Sequence, residues 1–166
     1  MNIRMIAIDD ASAFLELNYK LDAETNFMLF EAGERTTTIE QIESRIKATL
    51  QSTNEMVFVL EVDEQIVGYA MVIGGRLNRN FHKGSIVMGI VQKYAGKGNG
   101  SKIFEHLIEW CKASPLHRLE LTVMTHNERA IAIYKKYGFS IDGTIRDSLL
   151  IDNVFVDEYM MSLILK

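Results

Sequence analysis

The stretch Gly96-Lys97-Gly98-Asn99-Gly100-Ser101 is where residue type and spacing point most directly to chemistry. It joins an apolar run, Ser85 to Val91, to a strongly amphipathic stretch from Ser101 to Cys111. Glycines that follow a strand and open a helix leave backbone N–H groups without intrahelical partners, and the helix dipole adds roughly half a positive charge there. The result is an anion-binding site in outline, into which a phosphate could come close because no side chains stand in front of the amides. An ordinary glycine-rich turn has the same composition. Two other phosphate loops are excluded by spacing. The dinucleotide fingerprint needs G-x-G-x-x-G, whereas Gly96, Gly98 and Gly100 alternate, and the mononucleotide loop needs Ser or Thr after its G-K, where Lys97 is followed by Gly98.

The elements that must position this loop can be read from periodicity. Asn2 to Ile8 reads as a strand, and Asp9, Asp10 and Ser12 are suitable caps for a helix with Phe14, Leu17 and Leu21 on one face. A loop is expected from Asp22 to Thr37, with Glu24, Glu31, Glu34 and Arg35 set among Phe27, Leu29 and Phe30. Thr38-Ile39-Glu40-Gln41 has the form of a capping box, opening a helix with Ile39, Ile42, Ile46 and Leu50 at helical spacing. Met56–Val62 and Ile66–Ile73, divided by Asp63-Glu64-Gln65, read as a hairpin. After a polar loop, Arg76 to Lys83, the strand Ser85–Val91 is interrupted by Gly89, which suggests a bulge or a close backbone approach. The glycine loop then opens a helix whose apolar stripe is Ile103, Phe104, Leu107, Ile108 and Cys111, so Cys111 and His106 read as core and surface rather than as catalysts. Arg118–Met124 is a strand, a helix begins near Asn127 and ends at Gly138, and Ser140–Leu150 and Val154–Leu165 form a hairpin around Asp152-Asn153.

The glycine loop resembles motif A of the GNAT superfamily of acetyl-CoA-dependent N-acetyltransferases, Arg/Gln-x-x-Gly-x-Gly/Ala, with Gly98 and Gly100 as the two family glycines. The Arg/Gln position is Ala95, so a side-chain phosphate contact is missing, and Asn99 stands where the family usually has an aliphatic residue. Downstream, Asn127-Glu128-Arg129-Ala130-Ile131-Ala132-Ile133-Tyr134-Lys135-Lys136-Tyr137-Gly138-Phe139 is similar to the N-x-x-A-x-x-x-Y-x-x-x-G-F signature at every position. The resemblance covers residues 56–166 well and the first 55 more loosely.

The resemblance implies an α/β GNAT fold: a mixed central sheet of six to seven strands, helices on both faces, and a parallel strand pair splayed at the cofactor site. It implies acetyl-CoA as donor, its pyrophosphate held by the backbone around Gly96, Lys97, Gly98, Asn99, Gly100 and Ser101. The pantetheine arm would pair with the backbone of Met88, Gly89, Ile90 and Val91, and Asn127 would reach the cofactor region as well as capping a helix. Tyr134 would be the general acid; on periodicity alone it is a core aromatic. The general base is left open among Glu120, Glu31, Glu24 and a water chain. The implied reaction is direct transfer to a primary amine, of a small cationic molecule such as an amino acid, polyamine or aminoglycoside. Gly143-Thr144-Ile145-Arg146 and Val156-Asp157-Glu158-Tyr159-Met160-Met161 are similar to the branch of ribosomal-protein N-terminal acetyltransferases, which makes a peptide N-terminus the alternative acceptor. An acyl-CoA-binding module without turnover is a third reading, favoured by Ala95 and Asn99. Homodimers are common in the superfamily.

Size and composition agree with one domain over residues 1–166. A single cysteine excludes an internal disulfide, and no Cys/His cluster suggests a metal. The N-terminus lacks a signal-type apolar core and no apolar run approaches the ~20 residues of a membrane span, so a cytoplasmic, membrane-free protein is expected. Net charge is −4, with five Lys/Arg against ten Asp/Glu in residues 1–55 and thirteen against twelve in the remainder. The acidic N-terminal part could draw in a cationic acceptor, or merely solvate the surface, and no basic stripe points to nucleic acid.

Overall fold

The computed structural model describes residues 1–165. Seven strands form one sheet in the order β1-β2-β3-β4-β5-β7-β6. They are β1 (Asn2–Met5), β2 (Met56–Val62), β3 (Gln65–Gly74), β4 (Lys83–Ile90), β5 (Arg118–Met124), β6 (Ser140–Ile151) and β7 (Val154–Ile164). Helices α1 (Ala11–Glu24), α2 (Ile39–Gln51), α3 (Asn99–Ala113) and α4 (Glu128–Lys136) complete the fold. Every neighbouring pair is antiparallel except β4 and β5.

Side-chain alternation along β2 builds a core on each face of the sheet. Met56, Phe58 and Leu60 pack with Ile103, Phe104 and Leu107 of α3, while Val57 and Val59 pack with Phe14, Leu17 and Leu21 of α1 and Ile46 of α2. The stripe expected on α3 is buried as a whole, with Cys111 inside it. Thr38 caps α2 as its box requires: Gln41 N donates to Thr38 Oγ1 at 3.3 Å and Thr38 N donates to Gln41 Oε1 at 2.9 Å.

Several boundaries differ from expectation for identifiable reasons. β1 stops at Met5, because Arg4 turns its guanidinium to Asp10 (2.7 and 2.9 Å) and Glu61, and Asp10 also accepts from Ala7 N; a 3₁₀ turn at Ile8–Asp10 follows. Helix α1 runs to Glu24, so the loop expected from Asp22 begins at Thr25. Asp22 faces inward and pairs with Arg35 at 2.7 Å. The β2–β3 turn is Asp63-Glu64 alone, with φ of 49° and 61°, and Gln65 already belongs to β3. Asp152-Asn153 makes the same two-residue, left-handed turn between β6 and β7.

Of the two readings open at Gly89, a bulge in the β3–β4 ladder is absent. The β3–β4 register is continuous from Gly68↔Ile90 to Gly74↔Gly84, and the register shifts lie at Leu60/Glu61, Ile141/Gly143 and Ile145/Leu149. Gly89 is required by close approach instead: a Cβ there would stand 2.7 Å from Leu21 Cδ1.

Candidate active site

The parallel pairing of β4 with β5 covers only Lys83↔Arg118, Gly84↔Leu119 and Ser85↔Glu120. Beyond it the strands separate, β4 continuing to Ile90 and β5 to Met124. A wedge therefore opens in the middle of the sheet without any bulge in β4. Its chemistry follows from the register. Val91 N donates to Val67 O at 2.9 Å, which with the β3–β4 register makes Gly89 and Tyr69 a hydrogen-bonded pair. Alternate residues must point the other way, so Met88 and Ile90 turn their N–H and C=O groups into the wedge, while Gly89 and Val91 spend theirs on β3.

A cavity of about 970 Å³ fills this wedge and reaches both faces of the sheet. On the α3 face it meets the glycine loop. Gly96 (φ +75°) and Gly98 (φ +79°) are both left-handed, which only glycine adopts cheaply. The amides from Gly96 to Ser101 take no backbone partner among the described residues, the first capping return being Lys102 N to Gly98 O. A Cβ on Gly98 would meet nothing within 4 Å, so open space stands before these amides. Gly100 serves a different need, since its Cβ would press on Ile133 Cδ1 at 3.0 Å. Gly96, Gly98, Gly100 and Ser101 line the cavity; Lys97 and Asn99 do not. Asn99 is buried and donates through Nδ2 to Tyr94 O at 2.9 Å, fastening the loop from behind.

Helix α4 supplies the other wall. Asn127 lines the cavity and caps α4 by accepting from Ala130 N at 3.3 Å. Tyr134, two turns on, is 7% exposed and packed against Phe104 (ring centroids 5.4 Å) and Phe139 (6.0 Å). Burial pushes its phenol up to about 12. The hydroxyl has no partner among the described residues, yet no buried side-chain polar atom there lacks one, so it faces the open cavity. Tyr137 donates to Ser101 O at 2.8 Å and ties the end of α4 to the start of α3. Cys111 is wholly buried, with its thiol pushed up to about 12 by that burial, which leaves it no nucleophilic role.

The opposite face of the wedge is roofed by the segment after α1. Phe27, Met28 and Leu29 line the cavity, and Phe27 leans on His126 with ring centroids 5.4 Å apart. The roof is held at its base by the Asp22–Arg35 pair, and Arg35 also lies 4.3 Å over the Phe30 ring. Of the three carboxylates considered as bases, Glu24 alone lines the cavity, where it accepts from Gln92 N at 2.9 Å. Glu31 stays in the exposed loop. Glu120 sits at the closed end of the wedge; burial works against its charge, but Arg118 (3.0 Å) and Lys83 (3.2 Å) hold its carboxyl below the usual range, the reverse of what a base needs.

Sequence reasoning missed Glu158. It is opposite Met124 in the β5–β7 ladder, so it projects from the α1 face into the cavity, where it accepts from Ser148 Oγ at 2.6 Å. Its neighbours in sequence give no hint of this, and only the register does. Arg129 was also passed over, although it lies inside the downstream motif.

A pocket open to both faces of one sheet leaves room for two substrates, and a mixed seven-stranded sheet parted at its one parallel pair is the fold of the GNAT acyltransferases. The chain matches the acetyltransferase (GNAT) family over residues 18–139, and it belongs to that family. It is 31% identical over 102 residues to the L-amino acid N-acetyltransferase of Escherichia coli (strain K12), a match covering 61% of this chain and 63% of that protein. The chain thus aligns with less than two thirds of that relative's length. A GNAT-family acetyltransferase from Streptococcus pneumoniae superposes with a TM-score of 0.96 at 29% identity over 99% of both chains. The yncA protein of Salmonella typhimurium, solved with its cofactor acetyl-CoA, shares the fold with a TM-score of 0.88 at 20% identity, covering 100% of this chain and 94% of that one. Among the described residues no helix is long and apolar enough to cross a membrane, and no group of His, Cys, Asp or Glu side chains could hold a metal ion.

Proposed function

We propose that this chain transfers the acetyl group of acetyl-CoA directly to the primary amine of a small cationic molecule. The residues present fit the donor. The open space before the left-handed Gly98 admits a phosphate to the amides at the start of α3. The unpaired backbone edge of Met88 and Ile90 matches the amide groups of a pantetheine arm. When bound, the donor supplies an activated acetyl thioester.

Tyr134 acts on the departing sulfur. Its phenol stays protonated throughout the physiological range, and its hydroxyl is free to donate. Glu24 and Glu158 act on the acceptor: their carboxylates lie toward the α1 face, where they attract and orient an ammonium group. Removal of the ammonium proton is assigned to water reaching the cavity between them, because Glu24 is already tied to Gln92 N and Glu158 to Ser148. One observation favours a small acceptor over a peptide N-terminus. The Phe27–His126 contact carries the roof across to the end of β5, and an extended peptide needs an open groove there.

The test is release of free thiol from acetyl-CoA against a panel of L-amino acids, polyamines, aminoglycosides and short peptides. Turnover with small amines, and a raised KM in Glu158→Gln for cationic acceptors, is expected. Binding of acetyl-CoA without turnover on any amine would overturn the proposal in favour of a binding module. Turnover confined to peptides would overturn the choice of acceptor.

A further inference from the structure

The charge on the cavity wall does not match its proposed donor. Three carboxylates line it, Glu24, Glu128 and Glu158, against a single Lys or Arg side chain among the described residues, Arg129. A pyrophosphate carries two negative charges, and the residue that the family motif would place against it is Ala95, which has no donor to offer. Lys93 is turned onto the Tyr94 ring at 5.3 Å, and Lys97 is outside the cavity.

Arg129 is placed to fill this role. It projects from the first turn of α4, and its guanidinium is the nearest group to the glycine loop at Gly96: Nη2 stands 3.7 Å, and Nη1 3.9 Å, from the position of a Cβ on that residue. The side chain is exposed and has neither an ion-pair nor a hydrogen-bond partner among the described residues, so all of its donors are free. Its position is also electrostatically awkward in the ligand-free protein, because a cation in the first turn of a helix opposes the dipole. A bound anion removes that conflict and joins the two helix starts, α3 and α4, through one group.

The geometry points to Arg129 as the side chain that holds the pyrophosphate of the coenzyme, supplied from α4 in place of the one that Ala95 lacks. This rests on the acetyl-donor reading above. A planar guanidinium can take two phosphate oxygens at once, which a lysine cannot.

The test is calorimetric binding of coenzyme A, dephospho-coenzyme A and pantetheine to wild type, Arg129→Gln, Arg129→Lys and the double variant Ala95→Arg/Arg129→Gln, with thermal midpoints recorded for each. Arg129→Gln should weaken coenzyme A and dephospho-coenzyme A alike, by about tenfold or more, leave pantetheine binding unchanged, and hold or slightly raise the thermal midpoint because the cation facing the α4 dipole is gone. Arg129→Lys should recover only part of the loss, and Ala95→Arg should restore affinity in the double variant. Wild-type binding retained within twofold by Arg129→Gln overturns the assignment. So does a loss seen with coenzyme A but not with dephospho-coenzyme A, which would place the guanidinium on the 3′-phosphate. Failure of wild type to bind coenzyme A at all overturns the acetyl-donor reading itself.

Discussion

Replacing Tyr134 with Phe separates catalysis from folding unusually well. The ring packs against Phe104 and Phe139, and the hydroxyl, which faces the cavity, holds no protein partner among the described residues. Phe keeps the packing, so stability at neutral pH should change by less than about 0.5 kcal/mol, as for sites without a lost contact. On the proposed role of Tyr134 as donor to the departing sulfur, the catalytic cost follows from the phenol's acidity. Burial raises it to about 12, against about 8.5 for a thiol, so full proton transfer is uphill by roughly 5 kcal/mol. The useful step is then hydrogen-bond donation to the developing thiolate, worth about 1.5–3 kcal/mol for a charged acceptor. Steady-state thiol release should show kcat reduced about 10- to 150-fold, with acetyl-CoA affinity unchanged by calorimetry. The pH dependence carries a second signature. A folded value raised from 10 to about 12 means that the contribution to stability is complete below pH 10 and is lost as pH rises through 12. The amount is about 2.7 kcal/mol, so Tyr134→Phe should gain on wild type by roughly that much across this window. A kcat within threefold of wild type would refute the reasoning, as would a descending limb near pH 9 present in wild type and missing from the variant.

Three further outcomes follow from the same geometry. Gly98→Ala should cost about 1–2 kcal/mol in backbone strain and abolish donor binding, whereas Gly100→Ala, helical but pressed on Ile133, should leave stability within about 1 kcal/mol and still weaken binding; thermal denaturation and calorimetry distinguish them. Arg35→Ala strands Asp22, whose side chain is 2% exposed, and should cost about 3–5 kcal/mol in urea denaturation together with a raised acceptor KM, because the roof loses its clamp. Cys111, raised by burial from 9 to about 12, contributes fully below pH 9 and loses its contribution between 9 and 12. Wild type should therefore weaken by about 1.4 kcal/mol more than Cys111→Ala for each pH unit within that interval.

What could be read from the chain was what is encoded locally. The element order, the α2 capping box, the α3 stripe and the Gly138 stop each depend on residues within one or two turns of one another. That the glycine loop and Tyr134 would lie at one cavity was legible for the same reason, because both belong to continuous motifs. Gly89 left a bulge and a close approach both open, because a glycine in a strand reports that something comes close without saying what. The answer, Leu21 of α1, is 68 residues away. Asp63-Glu64 makes a left-handed turn without glycine, so the turn of the first hairpin reads one residue too long from sequence, whereas Asp152-Asn153 reads correctly. Glu158 was invisible because its membership of the site depends on the β5–β7 register, and Arg129 because its neighbour across the loop belongs to another element.

The splayed pair explains why the two halves of the site must come from opposite faces. Leu121 and Val123 of β5 belong to the core on the α3 face, so Thr122 and Met124, and Glu158 opposite Met124, belong to the α1 face. With β4 and β5 paired along their full length, a hydroxyl carried by α4 could never meet an amine held beneath the Phe27–Leu29 roof. In the proposed reaction the two have to meet, and pairing that stops at Ser85↔Glu120 removes the barrier between them. The Lys83–Glu120–Arg118–Asp142 chain of ion pairs sits at that junction. Glu120 is thus better understood as part of what fixes where the strands part than as a group acting on substrate. Such a role leaves it free of any need to change protonation, which agrees with a carboxyl held below its usual range.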